Sequence, residues 1–135
     1  MQKNNLTLGS LFDGSGGFPL GGLISGITPL WASEVEPFPI RVTTKRLPQM
    51  EHLGDISKIN GGDIEPVDII SFGSPCQDMS VAGKRNGLDG SRSSLFYEAI
   101  RIVKEMILSI LVDTFISKIS LTMQPGPKID SISGA

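Results

Sequence analysis

The sequence predicts an α/β fold built on a parallel sheet, and three observations carry that prediction. Through the first two-thirds of the chain, short apolar runs alternate with glycine turns and amphipathic stretches, the pattern of βαβ units. The run "VDIISF", Val67–Phe72, is apolar on both faces, as a strand buried inside a parallel sheet should be. The length of 135 residues suits one domain, able to bury roughly 68% of its unfolded surface.

The elements follow in order. Leu6–Phe12 reads as the first strand, and Asp13–Phe18 as a glycine turn. Pro19–Ser25 is then a short helix, with Pro19 suited to its first turn because the missing N–H has no partner there. Pro29–Val35 reads as the second strand, and Phe38–Arg46 as a helix ended near Pro48. A weak third strand sits near His52–Gly54. Val67–Phe72 is the best strand signal of all. A loop of about twenty residues, Gly73–Arg92, comes next, and a helix starts near Ser94. Most connections in a compact domain run to about 4–6 residues, so a loop this long at the carboxyl end of a strand points to function. Gly83, Lys84, Arg85, Gly87, Gly90 and Arg92 give it the composition of a mobile flap able to approach a phosphate backbone. The sequence holds no internal repeat and no low-complexity tract.

Composition excludes several classes. Twelve basic and fourteen acidic side chains leave a net charge of −2, not the footprint of a dedicated nucleic-acid binder. The single cysteine rules out an internal disulfide and fits a reducing, cytoplasmic setting. One cysteine and one histidine cannot close a structural zinc site, so no metal is expected. The opening "MQKNNLTLGS" lacks the apolar core of a signal peptide. The apolar run Ile107–Val112 is too short to span a bilayer.

Three constellations could carry chemistry. The first is "LFDGSGGFPLGG", Leu11–Gly22, where glycines between a strand and a helix let the backbone turn sharply and approach a ligand. Glu34 follows Gly14 by twenty residues, about where a carboxylate accepts ribose hydroxyls in nucleotide sites. The strict dinucleotide pattern fails at Pro19, and an ordinary glycine turn stays open. The second is Cys76. A lone cysteine is usually a small buried hydrophobe, yet Pro75 narrows the turn that presents this one, and Gln77, Asp78 and Ser80 are polar company. A cysteine–histidine hydrolase would rest on one unplaced partner, His52. The third is "HLGDISKI", whose Asp55 could equally be a helix N-cap or turn aspartate.

Taken together and in this order, "LFDGSGGF", "ASEVE", "GDISKI" and "GSPCQDMSVAGKRNGLDGSRSSLFYEAIRIVKE" resemble the first four motifs of the DNA cytosine-5 methyltransferases. The likeness covers about Leu6–Met106 and is most specific around Pro75-Cys76-Gln77. It implies a Rossmann-like class I methyltransferase fold, of which this is the parallel-sheet half, truncated after the fourth strand and its following helix. It also implies S-adenosylmethionine as cofactor. Phe12 would pack on the adenine, Gly14, Gly16 and Gly17 would let the backbone approach the methionine end, and Glu34 would bind the ribose hydroxyls. Asp55 would accept from the adenine amino group beside Ile56. Cys76 would be the nucleophile, placed by Pro75, whose carbonyl would contact the target base. Gln77, Ser80, Lys84 and Arg92 would lie on a loop closing over DNA.

The implied chemistry explains the lone cysteine. Carbon 5 of cytosine is too poor a nucleophile to take a methyl group directly, and a thiolate adding at carbon 6 activates it. The base must leave the stack to reach such a pocket, and a loop then encloses it.

After Met106 the likeness stops. The tail from Ile107 lacks the family's Glu-Asn-Val motif, its paired arginines and its recognition domain, and carries four charged side chains, Asp113, Lys118, Lys128 and Asp130. Residues 1–106 therefore read as the N-terminal part of the catalytic domain. Residues 107–135 read as a non-matching tail with the look of a shifted reading frame or truncated gene. Leu108, Leu111, Val112, Phe115, Ile116 and Ile119 keep helical spacing, so the tail can extend the preceding helix. The strand that pairs with the far side of "VDIISF" in the family would be missing, leaving an apolar edge. Three readings stand: an N-terminal fragment of a cytosine-5 methyltransferase, inactive alone; a non-catalytic module that binds cofactor or a complementing C-terminal chain; and, disfavoured by Pro19, a nicotinamide-dependent oxidoreductase.

Overall fold

A computed structural model describes residues 6–73 and 93–122. Four strands form one all-parallel sheet: β1 (Thr7–Leu11), β2 (Thr28–Ser33), β3 (Glu51–His52) and β4 (Ile69–Phe72), in the spatial order β3-β2-β1-β4. Three α-helices connect or follow them: α1 (Gly17–Ile24), α2 (Pro37–Arg46) and α3 (Ser93–Thr122). The class is α/β, as the sequence predicts.

Alternation along the strands sorts the side chains into two layers. Leu11 and Trp31 point to one face, where they meet Ile56, Ile59 and the α3 residues Ala99, Ile102 and Met106. Ala32 points to the other face, against Leu47 and Met50 just beyond α2. Leu8 shares that second face and touches Gly22 of α1. The helices α1 and α2 thus cover one side of the sheet and α3 the other.

Trp31 is the largest buried side chain, 1% exposed, and its indole Nε1 donates to the carbonyl of Glu65 at 2.9 Å. Its ring lies flat over Gly9, where a Cβ would come within 2.2 Å of it. Only glycine leaves room there. The β1–β2 register slips between Leu8 and Gly9, beside Pro29, which has no N–H to give the ladder.

The structure departs from the sequence reading in four places. Helix α1 starts at Gly17, two residues before Pro19, because Gly16 adopts the left-handed conformation (φ 84°) that caps it, leaving Pro19 inside the first turn. The third strand is Glu51–His52 instead of His52–Gly54, since Gly54 turns the chain with φ 76°. A short 3₁₀ turn at Ile56–Lys58 was signalled only by Asp55 as a cap or turn aspartate. Strand β4 covers Ile69–Phe72, and its residues are half-buried; among the described residues nothing pairs with its outer side. The apolar face expected beyond "VDIISF" is therefore an edge here. Helix α3 continues past Met106, as the helical spacing of the tail allows, as far as Thr122. Among the described residues no helix is long and apolar enough to cross a membrane.

Candidate cofactor cleft

The carboxyl ends of the parallel strands converge on a cleft of about 400 Å³. That size falls within the roughly 300–1,000 Å³ usual for small-molecule sites. Each strand delivers its contribution at its last residue or just beyond. Phe12 follows β1, Ser33 and Glu34 close β2, Asp55 and Ile56 follow β3, and Gly73 follows β4. Val35, Glu36 and Leu95 of α3 complete its lining.

Phe12 holds a φ of 54°, the one non-glycine residue with positive φ among the described residues. A bulky residue there costs on the order of 1–3 kcal/mol, and such strain clusters at ligand sites. It turns the chain out of β1 directly at the cleft wall.

Glu34 is fixed by three backbone donors. Its Oε2 accepts from Gly14 N at 2.7 Å, and its Oε1 from Val35 N at 2.8 Å and Glu36 N at 3.0 Å. The carboxylate thus ties the glycine turn after β1 to the end of β2. Asp55 caps the 3₁₀ turn: its Oδ1 accepts from Ser57 N at 2.9 Å and Ser57 Oγ at 2.8 Å. These bonds, the backbone N–H first, hold its carboxyl below the usual aspartate range, so it is an ionised acceptor at neutral pH. Asp55 thus caps a turn and also lines the cleft.

The cleft unites Phe12, Glu34, Asp55 and Ile56 of the predicted cofactor residues, with Gly14 joined through Glu34. Gly16 and Gly17 line a separate cavity of about 280 Å³ with Thr43 and Arg46 of α2. Pro75, Cys76, Gln77, Ser80, Lys84 and Arg92 lie outside the described residues, as does most of the predicted loop. Their flanks are in view: Gly73 and Leu95 both line the cleft, and Phe72 packs on Phe96 at 6.2 Å between ring centroids. His52 sits on the α2 side of the sheet, its Nε2 3.1 Å from Thr43 Oγ1.

Sequence reasoning missed Asp13, Val35, Glu36, Gly73 and Leu95. Asp13 is 6% exposed; its N–H donates to Ser33 O at 3.1 Å, its Oδ1 accepts from Ser10 Oγ at 2.8 Å, and its Oδ2 has no partner. Burial pushes its carboxyl up, against the hydrogen bond from Ser10. No motif could have revealed that burial. Gly73 was legible, as the residue directly past the strongest strand.

Among the described residues, three carboxylates, Glu34, Glu36 and Asp55, line the cleft beside apolar side chains, and no basic side chain does. Residues 6–109 match the family described as C-5 cytosine-specific DNA methylase. The chain is 41% identical over 96 residues to the type II methyltransferase M1.ScrFI of Lactococcus lactis subsp. cremoris, covering 70% of this chain and 24% of that protein. It is 40% identical over 81 residues to a DNA N-6-adenine-methyltransferase of Escherichia phage P1, covering 57% of this chain and 11% of that one. An E. coli crystal structure described as a prophage-encoded DNA modification methyltransferase superposes with a TM-score of 0.62 at 29% identity, over 76% of this chain and 29% of that chain. The chain thus spans less than a third of the length of each of these relatives. With the motifs in order and the family match running over 6–109, the chain belongs to the C-5 cytosine-specific DNA methylase family.

Proposed function

We propose that this chain is the cofactor-binding, nucleophile-bearing N-terminal part of a DNA methyltransferase that uses S-adenosylmethionine and modifies carbon 5 of cytosine. The observation that carries the reading is the acidic, apolar-walled cleft directly before the Pro75-Cys76-Gln77 segment. Among the described residues the cleft's carboxylates have no basic neighbour in its lining, which suits a cationic sulfonium ligand better than the pyrophosphate of a nicotinamide dinucleotide. The third reading of the sequence loses ground accordingly.

When bound, S-adenosylmethionine supplies an electrophilic methyl group. Phe12 and Ile56 would hold the adenine by apolar contact, and ionised Asp55 would accept from its amino group. Glu34 would accept from the ribose hydroxyls while keeping Gly14 in place. Gly14, Gly16 and Gly17 would leave the backbone open toward the methionine end. Cys76 would add as thiolate to carbon 6 of a flipped cytosine, making carbon 5 nucleophilic. Once carbon 5 has been substituted and has lost its proton, the thiolate leaves and the ring double bond returns. Pro75 would orient the nucleophile, and Gln77, Ser80, Lys84 and Arg92 would approach the DNA. The setting is cytoplasmic, and the partner is DNA.

The phage relative described as an adenine methyltransferase raises a second reading. An exocyclic amine already is a nucleophile and needs no thiol, so Pro75-Cys76-Gln77 favours carbon 5. DNA carrying 5-fluorocytosine separates the two, because fluorine cannot leave as a proton and the adduct stalls. With the remainder of the enzyme supplied in trans, a covalent complex is expected for the unaltered chain and none for Cys76→Ser, whose hydroxyl is far less ionised. Methylated adenine without an adduct would remove the carbon-5 reading.

A further inference from the structure

We propose that Arg101, on α3, is a positioning residue for the adenine side of the cleft; the proposal rests on the cofactor reading above. Its guanidinium spans from α3 to the segment after β3. The NH2 group donates to the carbonyl of Ile56 at 2.9 Å, and NH1 to the carbonyl of Ile59 at 2.8 Å. The same NH1 reaches both Glu105 oxygens at 3.0 and 2.9 Å, and Nε donates to Glu98 Oε2 at 2.7 Å. Glu105 in turn accepts from Gly61 N at 2.7 Å.

The two carbonyls bracket the 3₁₀ turn Ile56–Lys58, and Asp55 is the cap of that turn. Asp55 and Ile56 line the cleft, and so does Leu95, six residues before Arg101 on the same helix. Arg101 therefore fixes the turn that carries Asp55 and Ile56 against the helix that carries Leu95. The approach is close: a Cβ on Gly61 would lie 2.3 Å from the carbonyl of Ile102. Two backbone acceptors and two carboxylates need the planar fork of arginine, and a lysine ammonium cannot satisfy them together.

If Arg101 merely stabilised the fold, its loss would weaken every ligand alike. As a positioning residue it acts on what Asp55 recognises. The test is isothermal titration of the 135-residue chain with S-adenosylmethionine and with its inosine analogue, whose base carries an oxygen in place of the amino group. The unaltered chain should prefer the adenine form by about tenfold or more, the value of one charged hydrogen bond. Arg101→Met should narrow the preference to about threefold or less, and Arg101→Lys should fall between the two. A preference unchanged in folded Arg101→Met overturns the proposal. If that variant does not fold, Arg101→Lys decides by the same ratio. Equal binding of both ligands by the unaltered chain also overturns it, since Asp55 then does not read the amine. No binding of S-adenosylmethionine overturns the cofactor reading itself, and this inference with it.

Discussion

Glu34 holds three backbone amides, and the ribose role proposed for it can be tested apart from that task. Its carboxylate would hold the ribose, and it also accepts from Gly14, Val35 and Glu36, which shapes the turn around the cleft. Losing a charged acceptor costs about 1.5–3 kcal/mol, so Glu34→Ala should weaken S-adenosylmethionine at least tenfold in calorimetry. Glu34→Gln keeps an acceptor for one set of bonds and should lose less; equal affinity of Glu34→Ala and the unaltered chain would end the ribose assignment. Asp13 works in the opposite direction. Burial raises its native carboxyl pKa above 3.8, so the folded state holds the proton more tightly than the unfolded one. Its contribution is then favourable at low pH and is lost as pH rises through the raised value. Asp13→Asn cannot titrate. In urea unfolding between about pH 4 and pH 7, the unaltered chain should lose stability relative to this variant as pH rises. A difference that grows the other way would mean that the ion is satisfied in place.

The elements rest on close backbone approach as much as on apolar burial. Gly9 is the sharpest case, because the indole of Trp31 occupies the space of its missing side chain. Trp31 is buried and hydrogen-bonded at Nε1, so it cannot swing away. Gly9→Ala should therefore cost about 1–3 kcal/mol by overpacking, read as a lower urea midpoint with Trp31 fluorescence as probe. The strands themselves were legible from their apolar runs, each within about two residues of its place. Element ends were less so, because Gly16 and Gly54 set them through positive φ, and a glycine in sequence does not announce which conformation it takes. Of the 3₁₀ turn only its cap, Asp55, was legible, because three residues carry no periodicity. Its position comes from the Arg101 bonds, made across more than forty residues.

At the scale of the molecule, strand β4 lies half-buried at the edge of the sheet, and the outer half of α3 displays Leu108, Leu111 and Phe115, the last 66% exposed. Such surfaces favour association. Phe115→Lys should leave the unfolding free energy within about ±0.5 kcal/mol, since the ring packs little, while light scattering of concentrated solutions should fall. A marked loss of stability would instead show the ring to be packed in solution.

The sequence by itself determined the family, and the proposed chemistry is read from it. Motif order, the twenty-residue interval from Gly14 to Glu34 and the Pro75-Cys76-Gln77 segment are properties of the chain read in one dimension. It also settled the α/β class, because apolar runs of strand and helix length alternate. Tertiary structure alone decided that Phe12, Glu34, Asp55 and Ile56 share one cleft. They are brought together by parallel pairing, which sets the carboxyl ends of distant strands side by side. It alone revealed buried Asp13 and the Arg101 strap, since burial and a hydrogen bond spanning forty-five residues depend on packing that no local pattern encodes.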